Sequence, residues 1–211
     1  MAPSLRNQTV RSLDLAGRRV RLASLVDSDY EGWHAVRVRC RDWLVPWEPR
    51  SKGAPVAPED RGSFMSRCAM RERERQLGSG FGFGIFVDGR FGGEITLSSI
   101  QRGPFQSGAI GYWIDEGLAG LGLVPESVVV VLQFAFETLR LHRVEVAIIP
   151  RNNASRRVMD KLGLRFEGIS IGYLEINGAW EDHARYAMTS EEWLLRRDEL
   201  IENWIAPSVS S

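Results

Sequence analysis

Apolar and polar positions along the chain fall into two rhythms, and the changes between them mark the elements. Arg18 to Ala23 (RRVRLA) alternates charged and apolar residues, the period of a strand with one buried face. Asp27 or Ser28 can then cap a helix that turns Trp33, Val36 and Cys40 inward. The segment WLVPWEPRSKGAPVAPED holds much of the proline and predicts an irregular loop. A helix from about Glu59 to Gln76 follows, ending in the alternating charges RERERQ of a solvated face. From Gly80 the period shortens. FGFGIFVDGRFGGEITLSSI reads as two strands joined by an Asp88-Gly89 turn, and Ser107 to Ile114 is a third strand after a turn at Gly103-Pro104. His142 to Ile149 predicts a strand, and Asn152 to Leu162 a helix closed by Gly163. Two more strands, about Leu164 to Glu175 and Ala179 to Met188, meet at Asn177-Gly178, and a last helix starts after a Ser190 cap.

One stretch resists this scheme. Gly120 and Gly122 sit in a loop after a strand and lead through Pro125 into four consecutive valines, Val128 to Val131. Alone, the valines look like a buried strand. Yet Val128, Leu132, Ala135, Phe136 and Leu139 share one stripe at helical spacing, and Pro125 suits the first helical position, where an N–H is not needed. The segment to Arg140 is also too long for an ordinary strand. The reading is strand, Gly-x-Gly loop, helix. The order of elements therefore gives an α/β (α+β) fold: a mixed, mostly antiparallel sheet of about seven strands with helices on both faces. Residues 1–16 read as an N-terminal arm, 17–205 as one domain and 206–211 as a tail.

Composition narrows the partners. The 211 residues are 44% apolar and 26% charged, with 27 Lys plus Arg against 27 Asp plus Glu, so no uniformly basic nucleic-acid surface is expected. Arg37, Arg39 and Arg41 read as either a local basic patch or a solvated helix face. Cys40 and Cys68 form no C-x-x-C pair or Cys/His cluster, so no metal site is expected. With no apolar signal core at the start and no membrane-length apolar run, a reduced, cytoplasmic protein without membrane contact is the expectation. Either a monomer or a homodimer fits.

A Gly-x-Gly loop opening a helix serves either as a turn needing positive φ or as an anion site, because the first amides of the helix lack partners. The Gly-Lys-Ser/Thr of a Walker loop is absent, and Pro125 stands where a Rossmann fingerprint needs its third glycine. The remaining candidate is the pyrophosphate loop of an acyl-CoA-dependent N-acetyltransferase.

In order along the chain stand DWLVPWEP (Asp42 to Pro49), GYWID (Gly111 to Asp115), AGLGLVPE (Ala119 to Glu126), LHRVEV (Leu141 to Val146), PRNNASRRVMDKLGL (Pro150 to Leu164) and INGAWEDHARYAM (Ile176 to Met188). Together these resemble the GNAT acetyltransferases, specifically the ribosomal-protein N-terminal acetyltransferases of the RimJ/RimL type, over about Gly17 to Trp193. The resemblance implies a GNAT fold and acetyl-CoA as cosubstrate. It implies that the pantetheine runs along the strand ending at Trp113 and Ile114, and that amides of the loop Ala119, Gly120, Leu121, Gly122, Leu123 and Val124 hold the pyrophosphate. Asn152 would bond the cofactor arm and Ser155 would lie near its sulfur. Two positions depart from the family's Q/R-x-x-G-x-G/A pattern: Ala119 replaces the basic residue and Val124 the last Gly/Ala. Gly172 precedes Tyr173 where many relatives carry a glutamate.

The chemistry requires a neutral amine, a polarised thioester carbonyl and a proton for the leaving thiolate. Roughly 15% of an N-terminal α-amine is neutral at pH 7, against about 0.04% of a lysine, some 300-fold less. A site without a strong base suits the α-amine. Glu94, on the polar face of GGEITLSS, is either the base, directly or through water, or an ion-pair partner of a nearby arginine. Backbone N–H near Ile114 would polarise the carbonyl. Ser155 is either the thiolate's proton donor or an ordinary early-helix hydroxyl. Trp33, Trp43 and Trp47 form an aromatic wall for the acceptor or simply pack, and Tyr173 is a further acceptor-binding candidate, whereas of His34, His142 and His183 the last two read as structural. The expected reaction is direct acetyl transfer to a primary amine, most readily a protein N-terminus such as that of a ribosomal protein. The alternatives are a small-molecule amine acceptor and an inactive CoA-binding module.

Overall fold

The computed structural model describes residues 13–50, 52 and 59–206. Most of the expected N-terminal arm, part of the proline-rich loop and nearly all of the tail lie outside the described residues. Among those described, eight strands form one sheet in the order β1-β2-β3-β4-β5-β6-β8-β7. They are β1 (Asp14–Ala16), β2 (Val20–Ala23), β3 (Phe81–Val87), β4 (Arg90–Gln101), β5 (Ser107–Ile114), β6 (Arg143–Ile148), β7 (Arg165–Ile176) and β8 (Ala179–Thr189). All neighbours are antiparallel except β5 and β6, which are parallel. The helices are α1 (Tyr30–Arg39), α2 (Arg41–Leu44), α3 (Arg61–Leu77), α4 (Leu123–Gln133), α5 (Asn153–Leu162) and α6 (Ser190–Trp204).

Sequence and structure differ at a few element ends, each for a local reason. The eighth strand is β1, placed within the arm by the sequence reading. Its three residues are too short to show a period, and pairing with β2 plus an Arg21–Asp14 ion pair at 2.9 Å holds it. Two short helical turns, α2 and a 3₁₀ turn at Val45–Trp47, interrupt the proline-rich loop. The last helix is capped by Thr189, not Ser190: the Thr189 side chain accepts from the Glu192 amide, and Glu192 returns a bond to the Thr189 amide. Similarly, α4 starts at Leu123, so Pro125 is its third residue, still inside the first turn where a missing N–H costs nothing.

The valine helix shows packing overruling propensity. Valine costs a few tenths of a kcal/mol relative to alanine in a helix, while complete burial of its side chain returns about 1.5 kcal/mol or more. Val128, Val129 and Val131 are wholly buried, because sheet, α5 and α6 enclose α4. The helix continues as a π-turn over Phe134–Thr138, where the Phe136 ring stacks on Trp193 of α6 at 5.8 Å. On the opposite face of the sheet lie α1, α2 and α3. Trp33 of α1 packs on Phe64 of α3 at 5.1 Å, and Val36, Cys40 and Leu44 form a small second core against Trp43, Phe91 and Trp113.

Candidate functional site

The parallel join between β5 and β6 pairs only Ser107, Gly108 and Ala109 with Arg143, Val144 and Glu145. Beyond that point β5 stays paired with β4 as far as Ile114, and β6 stays paired with β8 as far as Ile148. The two strands therefore part and leave a wedge. The Asp115 amide donates to the Gly92 carbonyl at 2.7 Å, which sets the alternation of the antiparallel ladder. Trp113 and Gly111 then bond to β4, the Ile110 amide completes the last rung to the Glu145 carbonyl, and the N–H and C=O groups of Tyr112 and Ile114 turn toward the wedge. Side chains and backbone from both strands, α4, α5 and the α1–α3 layer enclose a cleft of about 840 Å³ that passes through the sheet.

On the α4–α5 face the cleft meets the Gly-x-Gly loop. Gly120, Gly122, Leu123 and Val124 line it together with Ala119 and Pro125. Among the described residues, no backbone or side-chain acceptor takes the amides of Gly120 through Val124, whereas the Ala119 amide is spent on the Glu116 carbonyl at 3.1 Å. Five consecutive open amides at a helix N-terminus make a cradle for a diphosphate. Gly122 caps the helix at φ 82°, a left-handed conformation that favours glycine. A Cβ at Gly120 would meet nothing within 4 Å, so the approach there is open. Leu121 is the exception among the predicted loop residues: its side chain is exposed and it does not line the cleft. Arg157 and Lys161, one turn apart on α5, add positive charge to the wall. These features fit an acyl-CoA: an extended arm along the free edge of β5 and phosphates on the loop.

Asn152 caps α5, its Oδ1 accepting from the Ser155 amide at 3.1 Å, and both residues line the cleft. The cap employs only the carbonyl of the Asn152 amide, which leaves its NH2 group for another acceptor. The Ser155 carbonyl accepts from the Tyr112 hydroxyl at 3.4 Å across the wedge. Burial pushes the Tyr112 phenol above its ordinary range, so it stays protonated. Tyr112 carries no motif signal in the sequence, where an aromatic within a strand reads as packing. The structure turns the Trp113 ring to the other face, against Phe91 at 5.7 Å, while Ile114 offers its carbonyl to Trp43 Nε1 at 3.2 Å.

On the α1–α3 face, β4 presents Glu94, Thr96 and Ser98 opposite Trp113, Gly111 and Ala109. The two small residues leave a hollow above a polar floor. Glu94 is 4% exposed. Its Oε1 accepts from Trp33 Nε1 at 2.9 Å and its Oε2 from Arg67 at 2.6 Å, so the arginine partner considered for it exists, and Glu94 still borders the cleft. Trp43, Trp47 and Tyr173 line the same end. Arg151 covers Trp47 at 5.3 Å, and Arg185 covers Tyr173 at 4.4 Å. His183 lies there too, 2% exposed, edge-on to Tyr173 at 5.4 Å. A protonated His183 Nδ1 donates to the Glu181 carbonyl at 3.0 Å, and Nε2 of that tautomer is an acceptor. Gly172 has φ 53° in a bulged stretch of β7, and its amide donates to Asp182 at 2.8 Å. That left-handed backbone accounts for glycine where the resemblance suggests glutamate.

Neither Cys40 nor Cys68 lines the cleft. Burial, reinforced by the Glu94 charge, pushes the Cys68 thiol up to about 11, and burial raises Cys40 as well. No group of three or more His, Cys, Asp or Glu side chains among the described residues is arranged to hold a metal ion. No described helix is long and apolar enough to cross a membrane.

Comparison with known proteins agrees with this geometry. Residues 19–165 match the family model described as an acetyltransferase (GNAT) domain. The chain is 42% identical over 112 residues to the "Probable N-acetyltransferase YjcK" of Bacillus subtilis (strain 168), a match spanning 52% of this chain and 62% of that one. It is 30% identical to the ribosomal protein uS5-alanine N-acetyltransferase of Escherichia coli (strain K12) over 72% of this chain and 78% of that one. Among solved structures, Mycobacterium smegmatis RimJ in complex with CoA-disulfide superposes with a TM-score of 0.79 at 32% identity, covering 86% of this chain and 88% of that one.

Proposed function

We propose that this chain, which belongs to the GNAT acetyltransferase family and is an acetyl-CoA-dependent N-acetyltransferase, acetylates the α-amine at a protein N-terminus. The observation that carries the choice of acceptor is the state of Glu94. Both of its oxygens already accept hydrogen bonds, from Trp33 and Arg67, so about half of its accepting capacity is spent on the protein itself. An acceptor that is substantially neutral at pH 7 needs no more than this, and an α-amine is roughly 300-fold better supplied in that form than a lysine. The uS5-alanine enzyme among the relatives supports the same class.

When bound, acetyl-CoA supplies the activated acyl group, and the chain's own residues do the rest. The loop amides from Gly120 to Val124 and the Asn152 amide hold the donor, and the free edge of β5 keeps its arm extended. Amides of Tyr112 and Ile114 face the wedge and polarise the carbonyl under attack. Glu94, at the far end of the cleft, receives the amine proton, with His183 Nε2 the second acceptor in reach of the same end. Ser155 and Tyr112, on opposite sides of the wedge, supply the proton the leaving sulfur needs. Trp43, Trp47 and Tyr173 enclose the acceptor chain. Neither cysteine lines the cleft, so transfer proceeds by direct attack of the amine, without an acyl-cysteine.

A thiol-release assay with acetyl-CoA tests this. The panel holds peptides with free Ala or Ser N-termini, the same peptides blocked at the α-amine but carrying lysine, spermidine and an amino sugar. Turnover confined to free α-amines is expected. Turnover on spermidine or the sugar alone would overturn the acceptor assignment, and CoA binding with no turnover on any amine would make the chain a binding module.

A further inference from the structure

The loop lacks the basic side chain its family pattern places at Ala119, yet a cation stands beside it, delivered from the far end of the chain. Arg19 leads into β2. Its NH1 donates to the Leu121 carbonyl at 2.9 Å, and its Nε donates to Glu126 Oε2 at 2.9 Å. Glu126, in the first turn of α4, is wholly buried. Its Oε1 also accepts the amides of Arg19 at 2.5 Å and Val20 at 2.9 Å. The carboxylate thus grips the start of β2 and offsets its own charge with the same arginine. Space is reserved for this arrangement: a Cβ on Gly17 would come within 2.7 Å of Glu126 Oε1, and one on Gly122 within 3.3 Å of Arg19 NH2.

The orientation of the bond to Leu121 matters. A trans peptide is planar, with C=O and N–H pointing in opposite directions. Arg19 pulls the Leu121 carbonyl to the β2 side, where Arg19 and Leu121 lie outside the cleft. The Gly122 N–H of that same peptide therefore points the other way, toward the cleft that Gly120, Gly122, Leu123 and Val124 line. At Gly122, whose φ is 82°, little else restrains that peptide from rotating.

We infer that Arg19, braced by Glu126, is the positioning residue of the diphosphate cradle, holding the Leu121–Gly122 peptide so that the Gly122 amide faces the donor. It replaces by backbone orientation what Ala119 does not supply by side-chain contact. This rests on the acetyl-CoA reading of the loop.

The test compares two donors, acetyl-CoA and S-acetylpantetheine, which carries the same thioester and arm without the diphosphate. Arg19→Met keeps the aliphatic stem and loses the fork. The preference in kcat/KM for acetyl-CoA over S-acetylpantetheine should narrow about tenfold, through KM, the size of one charge-assisted hydrogen bond. The rise in melting temperature caused by CoA should shrink in parallel. Arg19→Lys, which can still donate to the Leu121 carbonyl, should recover part of the preference. A general structural role would lower both donors together and leave their ratio unchanged, which overturns the proposal, as does a ratio equal to wild type. Equal use of the two donors by the wild-type protein would refute the diphosphate cradle itself, and the proposal with it.

Discussion

Gly93 of β4 sits opposite Ile114 of β5 at the mouth of the wedge. A Cβ there would overlap the Trp113 carbonyl oxygen and come within 2.9 Å of the Ile114 Cα, both backbone atoms with no rotamer to yield. Carbon atoms rest about 3.5–4.0 Å apart, so Gly93→Ala forces β4 and β5 apart by roughly 1 Å at this point. Overpacking of this kind costs about 1–3 kcal/mol. Taking about 2 kcal/mol, a domain of this size should lose roughly 4–8 °C in melting temperature. The same shift displaces the Ile114 amide and Glu94, which neighbours Gly93, and a misplacement of about 1 Å lowers turnover by about 10²-fold. The adjacent glycine provides the comparison. A Cβ on Gly92 would meet the tip of the Leu118 side chain at 2.5 Å, which can rotate away, so Gly92→Ala should cost far less. Urea unfolding and thiol release, measured on both variants, check the pair. If Gly93→Ala unfolds and turns over like wild type, or if Gly92→Ala proves the more damaging, the packing argument at the wedge is wrong.

Glu94→Gln should lower kcat by about 10²-fold while leaving CoA affinity near wild type, read by turnover and by calorimetry. Asn152→Asp keeps the helix cap and should hold stability while weakening CoA binding, because its NH2 donor is gone; Asn152→Ala should lose about 1 kcal/mol as well. At the β6–β7 end, the Arg143 and Arg165 guanidiniums hold the Glu167 carboxyl at about 2, below its ordinary value of 4.5. Its folded pKa is depressed, so its contribution is complete above about 4.5 and disappears as pH falls toward 2. The network is on the surface, so Glu167→Gln should cost no more than about 1 kcal/mol at pH 7 and almost nothing near pH 2, measured by denaturation at both.

How far the sequence could be read followed the length of each periodic signal. Strands β3, β4, β5, β7 and β8 were legible because each runs six or more residues beside a glycine turn, and β6 because Arg143 to Ile148 alternates throughout. β1 was not, since three residues hold no period. The valine helix needed the proline and the stripe beyond it to override a local strand preference. At the site, Gly120 and Gly122 were singled out by the loop and Asn152 and Ser155 by the family resemblance, and the structure gathers them on one cleft. Glu94 was singled out because a polar face on an interior strand must border something, and it borders the cleft. Tyr112 and His183 left no comparable mark, since an aromatic or histidine within a strand looks like packing until the opposite strand departs. Arg19 was beyond reach for a different reason: its partners Leu121 and Glu126 lie about a hundred residues away.

Backbone continuity across the middle of the molecule depends on the short pairing at Ser107, Gly108 and Ala109. Five strands lie on one side of that seam and three on the other, so the sheet is two half-sheets stitched at one end. An extended donor arm laid along β5 would supply the missing stitches to Tyr112 and Ile114. Occupancy should then be recorded in the backbone itself, as hydrogen exchange that slows at the Tyr112 and Ile114 amides when the donor binds and recovers when the product leaves.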